Sequence, residues 1–263
     1  MSDAGDGAPG AIPVLVFHSV ADRAGSDIWT LPTATFERHA WAVRDSGRAS
    51  LTFAELAAHL TAGTAPPGPA VVVTFDDGFA DNLAAAALCA EMGLRATFFI
   101  TTDYIGMPEM VSPGQIRQLA EIPGVEVGSH TVSHRRLDEL PRAEVAVELR
   151  DSRARLEDIL GRPVTTVAYP HGNYDARVKA LARAGGYLGA AAVRNALSHP
   201  ADDPFAVARC IVTTQTTDSR VADVLAGRVA MAPSRERIVS RGYRWVRRAR
   251  AVVSGSRPTP PVP

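Results

Sequence analysis

At 263 residues, with 46% apolar and 21% charged content, the chain is long enough to bury one large core, and α/β barrels of this size are commonly single domains. Lys and Arg balance Asp and Glu at 28 each, so the basic excess expected of a phosphate-binding face is missing and nucleic acid is not an expected partner. Two cysteines supply no disulfide framework, and no apolar stretch approaches the length of a membrane span.

Residues 1–10 are small and acidic, without the positive and apolar regions of a secretory leader, so they read as a flexible N-terminus and the expected location is cytoplasmic. The apolar run at 12–17 predicts a first strand that ends on His18. Thr33 is placed to cap a helix through Asp45, and a second helix is expected over 53–60. Val71, Val72 and Val73 lie between Pro69 and Gly78, so residues 70–75 read as a buried strand with Asp76 and Asp77 at its C-terminal end. Asp81 and Asn82 suit the cap of a helix over 83–92, where Cys89 behaves as a small apolar residue.

Further strands are expected over 96–101 and 125–128, the second running toward His130 and His134. Pro141 opens a long helix that reaches Leu160 and is stopped by Gly161 and Pro163. Strands over 164–168, 188–193 and 207–212 complete an alternation of strand and helix, which predicts an α/β fold. Over 235–250, seven arginines against Glu236 interleave with apolar residues at three-to-four spacing. This basic amphipathic segment, continuing to 253, either lies on an anionic membrane surface with Trp245 at the headgroup level or packs on the fold with its charged face in water. Residues 254–263 are proline-rich and expected to be disordered, giving a domain over 11–232 followed by a C-terminal segment over 233–263.

Taken singly, Asp76-Asp77-Gly78 is a common turn, and His130 and His134 are a common surface spacing. Their joint occurrence at successive strand ends carries more weight, because sites in α/β folds gather at the C-terminal ends of strands. Adjacent strand residues point in opposite directions, so one aspartate can hold a metal while its neighbour reaches a water. Two neutral imidazoles and one carboxylate make the three-ligand set of a catalytic divalent site, which implies metal-assisted hydrolysis. A third strand exit, Tyr169-Pro170-His171-Gly172, is punctuated by Pro and Gly in the same way.

Residues 70–101, 125–140 and 156–174 resemble the polysaccharide deacetylases, also called carbohydrate esterase family 4 or the NodB-homology domain, and the likeness extends over most of 11–215. The resemblance implies a single distorted (β/α)7 barrel. It also implies that Asp76 is the general base and that Asp77, His130 and His134 hold one divalent ion, zinc first, with cobalt, nickel, iron or manganese as alternatives. The implied reaction is attack of an activated water on the acetamide carbonyl of an acetamido sugar, whether a polysaccharide, a lipid-linked precursor or a small glycoside. The backbone N–H of His171 is then the implied oxyanion donor.

Two departures from the family pattern stand out. Leu197-Ser198-His199 matches the family's proton-donor motif, yet His199 lies in a polar stretch over 195–204 that reads as a surface loop. The alternative is His18, because residues 14–19 resemble the opening strand of the poly-N-acetylglucosamine deacetylase branch, in which an N-terminal His is the acid; a structural hydrogen bond to a loop is the other reading of His18. The arginine that usually orients the base is replaced by Ala168. Arg209 is the candidate substitute, since an Arg inside a strand needs a partner and a carboxylate is its bidentate match; a solvent-facing position is the other reading. Trp29, Tyr104 and Tyr174 are candidates to stack on a sugar ring. The competing functional readings are hydrolysis of a non-sugar amide and a silent sugar-binding or scaffold role.

Overall fold

In chain order the elements of the computed structural model are β1 (Val14–Phe17), β2 (Ser19–Val20), β3 (Thr30–Leu31), α1 (Thr33–Asp45), β4 (Ala49–Leu51), α2 (Phe53–Ala62), β5 (Ala70–Phe75), α3 (Asn82–Glu91), β6 (Ala96–Ile100), α4 (Pro113–Glu121), β7 (Val125–Ser129), α5 (Arg142–Leu160), β8 (Thr166–Ala168), α6 (Ala176–Ala184), β9 (Gly189–Ala191), β10 (Cys210–Ile211) and α7 (Asp218–Leu225). The structure describes residues 10–23 and 27–229. The expectations for 1–9, for the basic segment over 235–253 and for the tail over 254–263 therefore fall outside the described residues.

The main sheet is parallel throughout, in the order β10-β1-β5-β6-β7-β8-β9, with β4 added beside the first half of β5. Its register aligns Phe17 with Phe75, Phe75 with Phe98 and Ile100 with Ser129, so the strands finish level with one another. His18, Asp76 and His130 consequently leave the sheet at a single rim. Closure falls to 207–211, which pairs backward with β9 through Val207 and Ala191 and forward with β1 through Cys210 and Leu15. The strand expected over 207–212 is thus regular only at Cys210–Ile211, because its two halves take different neighbours. The result is the expected (β/α)7-type barrel.

Two apolar layers hold it together. Phe17, Phe75 and Phe98 stack in sequence, with centroids 5.5 and 4.5 Å apart, and Phe36 of α1 meets Phe17 edge-on at 5.2 Å. Each of these fully buried rings contributes about 1.5–3 kcal/mol by leaving water. Inside the barrel, Val14, Val72, Phe99, Ala168, Ala191 and Val207 meet Phe53, Leu56 and Ala57 of α2, which touches β5, β8 and β9. Helix ends follow their sequence signals in part. Thr52 and Glu55 form a capping box for α2, and Gly161 ends α5 at φ 65°. Thr33 does not cap α1: the N-cap is Pro32, Thr33 is the first helical residue, and its N–H is taken by Asp22 Oδ1 at 3.0 Å. Among the described residues, no helix is long and apolar enough to cross a membrane.

Candidate metal centre and active-site groove

Asp76 and Asp77 leave β5 at the rim, and Asp77 takes φ 73°, a left-handed turn that swings its carboxylate toward the end of β7. There the backbone turns again at Thr131 (φ 67°) and His134 (φ 58°), so the two histidines meet in a tight loop and not on a helix face. Asp77 Oδ1 lies 3.5 Å from His130 Nε2 and 3.3 Å from His134 Nε2. One ligand atom from each of the three residues falls within 4.8 Å of the others. His130 Nδ1 sits 2.9 Å from the Ala168 carbonyl. A carbonyl only accepts, so Nδ1 carries the proton and Nε2 turns its lone pair toward Asp77. Asp77 Oδ1 is buried and has no hydrogen-bond partner among the described residues. The His130 Nε2 lone pair and His134 Nε2 both converge on Asp77 Oδ1, at separations that suit an ion bound at about 2 Å to each. The residues fit a divalent cation.

The electrostatics separate the two aspartates. Burial raises the Asp76 carboxyl, but the Arg209 guanidinium, assisted by His130 and His18, overcomes that and holds it well below the usual carboxylate range. Arg209 is 0% exposed and forks onto Asp76 with both contacts at 2.7 Å. Its Nη1 also donates to Thr74 Oγ1 at 3.1 Å and its Nε to the Ala192 carbonyl at 3.0 Å. Asp77 is pushed up to about 6, by burial first and then by Asp76, against the pull of His18 and Arg209. Burial drives His130 down to about 3 and lowers His134 as well. Both imidazoles are therefore neutral at working pH, and proton competition for the ion rests on Asp77. Zinc affinity measured by titration should be flat above about pH 6 and should fall on acidification below it, as Asp77 takes up a proton that the ion must displace.

A groove of about 310 Å³, at the small end for ligand sites, is lined by His18, Trp29, Asp76, Asp77, His130, His134, His171, Gly172, Val193 and Ile211. His18 is half-buried at the end of β1, with its ring 4.7 Å from that of Trp29. His171, at φ 57°, packs its ring 4.6 Å from His134. The next residue must be glycine, since a Cβ at Gly172 would lie 2.4 Å from the Val193 backbone nitrogen. His199 is not among the lining residues. Its neighbour Ser198 bridges Ile12 at the opposite end of β1, about 20 Å of strand from His18, and the His199 N–H is held by Asp202. Tyr104 lies 6.2 Å from His134, whereas Tyr174 stacks on Tyr169 at 5.2 Å outside the groove.

Asp81 occupies the N-cap position of α3, but its side chain makes no capping bond to the helix. Its carboxylate accepts from Ser19 Oγ at 2.7 Å, the Val20 N–H at 3.1 Å and Arg23 at 2.7 Å, while Asn82 Nδ2 donates to the His18 carbonyl at 2.8 Å. The pair fixes the segment that carries His18. Glu148, which the sequence reading passed over, closes on the loop between the two histidines. Its signal was a polar residue on the apolar stripe of α5, between Val145 and Leu149.

Residues 63–190 match the family model described as Polysaccharide deacetylase. The Bacillus subtilis (strain 168) protein YxkH is 29% identical over 180 residues, which cover 68% of this chain and 63% of that protein, so the match spans less than two thirds of the relative's length. Among solved structures, IcaB from Ammonifex degensii superposes with a TM-score of 0.73 at 25% identity, covering 86% of this chain and 98% of that one. Streptococcus pyogenes deacetylase PplD, solved in complex with acetate, gives a TM-score of 0.75 at 20% identity over 83% and 99% of the two chains, a likeness of fold. The matched stretch runs from ahead of β5 into β9 and so takes in the aspartate pair, both histidines and the His171 turn: over these residues the chain matches the polysaccharide deacetylase family.

Proposed function

We propose that the protein hydrolyses the N-acetyl group of an acetamido sugar, with Asp77, His130 and His134 holding one divalent cation and Asp76 acting as general base. The observation that carries this reading is the placement of an ionised, Arg-clamped Asp76 beside a converging three-ligand cluster on one groove wall. A divalent ion bound there would supply Lewis acidity, lowering the pKa of water and polarising the acetamide carbonyl. Zinc suits two imidazoles and a carboxylate, as do cobalt, nickel, iron and manganese.

The chain's own residues do the rest. Arg209 keeps Asp76 ionised and fixes the plane of its carboxylate, so the base meets an attacking water in one orientation. As that water adds to the carbonyl carbon, its proton passes to Asp76. The His171 N–H, presented by the φ 57° turn, donates to the oxygen that becomes negative. Collapse then expels the amine, and His18 delivers the proton it needs. Trp29, Val193 and Ile211 form an apolar wall suited to the acetyl methyl and to one face of a sugar ring. The position of His18 at the strand exit supports a kinship with the poly-N-acetylglucosamine deacetylase branch.

The test is acetate release by the zinc-reconstituted protein from N-acetylglucosamine oligomers, UDP-N-acetylglucosamine and acetylated small glycosides. Release is expected from at least one of these sugars. Absence of release from all of them despite stoichiometric bound metal would move the assignment to a non-sugar amide. Comparison of single variants addresses the proton donor. His18→Ala should lower kcat by about 10²- to 10⁴-fold, as loss of a general acid does, while His199→Ala should stay near the parent. A loss confined to His199→Ala would overturn the role of His18.

A further inference from the structure

The loop between His130 and His134 cannot pair with the sheet, since its backbone takes left-handed turns at Thr131 and His134. Its N–H groups need other partners, and they find them on one helix. Glu148 Oε2 accepts from the Val132 N–H and the Ser133 N–H, both at 2.9 Å. Its Oε1 accepts from the Ser133 hydroxyl and, at 3.2 Å, from Arg135 Nη2. One turn further along α5, Ser152 meets Ser129 at 2.8 Å, and Ser129 Oγ accepts the Thr131 N–H at 3.2 Å. Three consecutive loop N–H groups are thus tied to α5, directly or through Ser129. Glu148 is 3% exposed, although a carboxylate is seldom buried so deeply without a purpose for its oxygens.

We propose that Glu148 is a positioning residue for the metal centre: by drawing the backbone of Val132 and Ser133 onto α5 it sets the separation and aim of His130 and His134, and so the affinity of the site. The inference rests on the metal reading of Asp77, His130 and His134. Backbone donors on a buried carboxylate make short, charge-assisted bonds, and two successive N–H groups form a concave anion seat. The carboxylate, which does not line the groove, occupies that seat and leaves both imidazole Nε2 atoms facing Asp77. Without it, two half-buried N–H groups lose their acceptor and the loop relaxes toward other backbone partners.

The experiment is zinc affinity of the full chain, measured by competition with a chromophoric chelator, alongside the unfolding temperature of the metal-free protein. Glu148→Ala should raise the zinc Kd by about 10- to 100-fold, the range for loss of a group that orients a ligand. Glu148→Gln can keep both N–H bonds through its carbonyl oxygen and should recover most of the affinity. Ser133→Ala removes the hydroxyl's bonds to Glu148 and Arg135 but keeps both N–H bonds, and should show a smaller loss, which keeps the inference testable should Glu148→Ala not fold. A purely structural role would lower the metal-free unfolding temperature and leave the Kd of the folded variants at the parent value; that result overturns the inference. Failure of the parent itself to bind zinc would instead overturn the metal reading, and this inference with it.

Discussion

Asp76→Asn should bind zinc as the parent does and lose about 10²- to 10³-fold in kcat for acetate release. The substitution preserves shape and leaves Asp77, His130 and His134 in place, so metal content separates loss of the base from loss of the site. The expected loss is at the lower end of what removing a general base costs. A carboxylate held well below its usual range by Arg209 is a weak base, and its share of the proton in the transition state is small. What the clamp gives in return is a base that stays ionised and in one orientation. It follows that the acid limb of the activity profile should not belong to Asp76. That limb should track loss of the ion as Asp77 protonates near pH 6, and it should move when zinc is raised. Full activity in Asp76→Asn would remove Asp76 from the mechanism.

Why some of this was legible in the sequence, and some not, follows from where each partner sits along the chain. The unbroken apolar run of β5 and its flanking Pro69 and Gly78 are local signals, and residues 70–75 are the strand that forms. The aspartate pair and the two histidines are likewise each read within a few residues, and parallel strands of matched register then bring them to one rim. Arg209 was readable only as a charge that needed a partner. Whether it faces inward depends on 207–211 closing the barrel between β9 and β1, a choice made by strands far away in the chain. Asp81 shows the limit of local reasoning. A helix-start aspartate suggests a cap, but Ser19 Oγ and the Val20 N–H lie across the rim and take the carboxylate instead. Glu148 has the same character, since its donors follow β7 and its own position looks like an ordinary charge in a charged helix. A polar residue interrupting an apolar helical stripe is the trace such groups leave.

Arg209→Ala should be the most destabilising single change at the site, costing about 3–5 kcal/mol in urea denaturation at pH 7.5, because it leaves a buried carboxylate without its counter-charge. The pH dependence of that loss is diagnostic. In the parent, the depressed pKa of Asp76 contributes stability that is present above the unfolded-state value and is lost only as pH falls through the lower folded value. With Arg209 gone, burial acts on Asp76 with its chief opponent removed and the folded pKa rises above the unfolded one. The sign of the Asp76 linkage then reverses: that group binds a proton more tightly folded than unfolded, so the variant's deficit relative to the parent should shrink as pH is lowered from 7.5 to 5. Arg209→Lys should not restore the parent, since one ammonium cannot span both oxygens of Asp76 while also reaching Thr74 and the Ala192 carbonyl. If Arg209→Ala unfolds at the parent's urea midpoint at both pH values, the clamp is not what holds Asp76 ionised, and the role assigned to Arg209 in place of the residue missing at 168 falls with it.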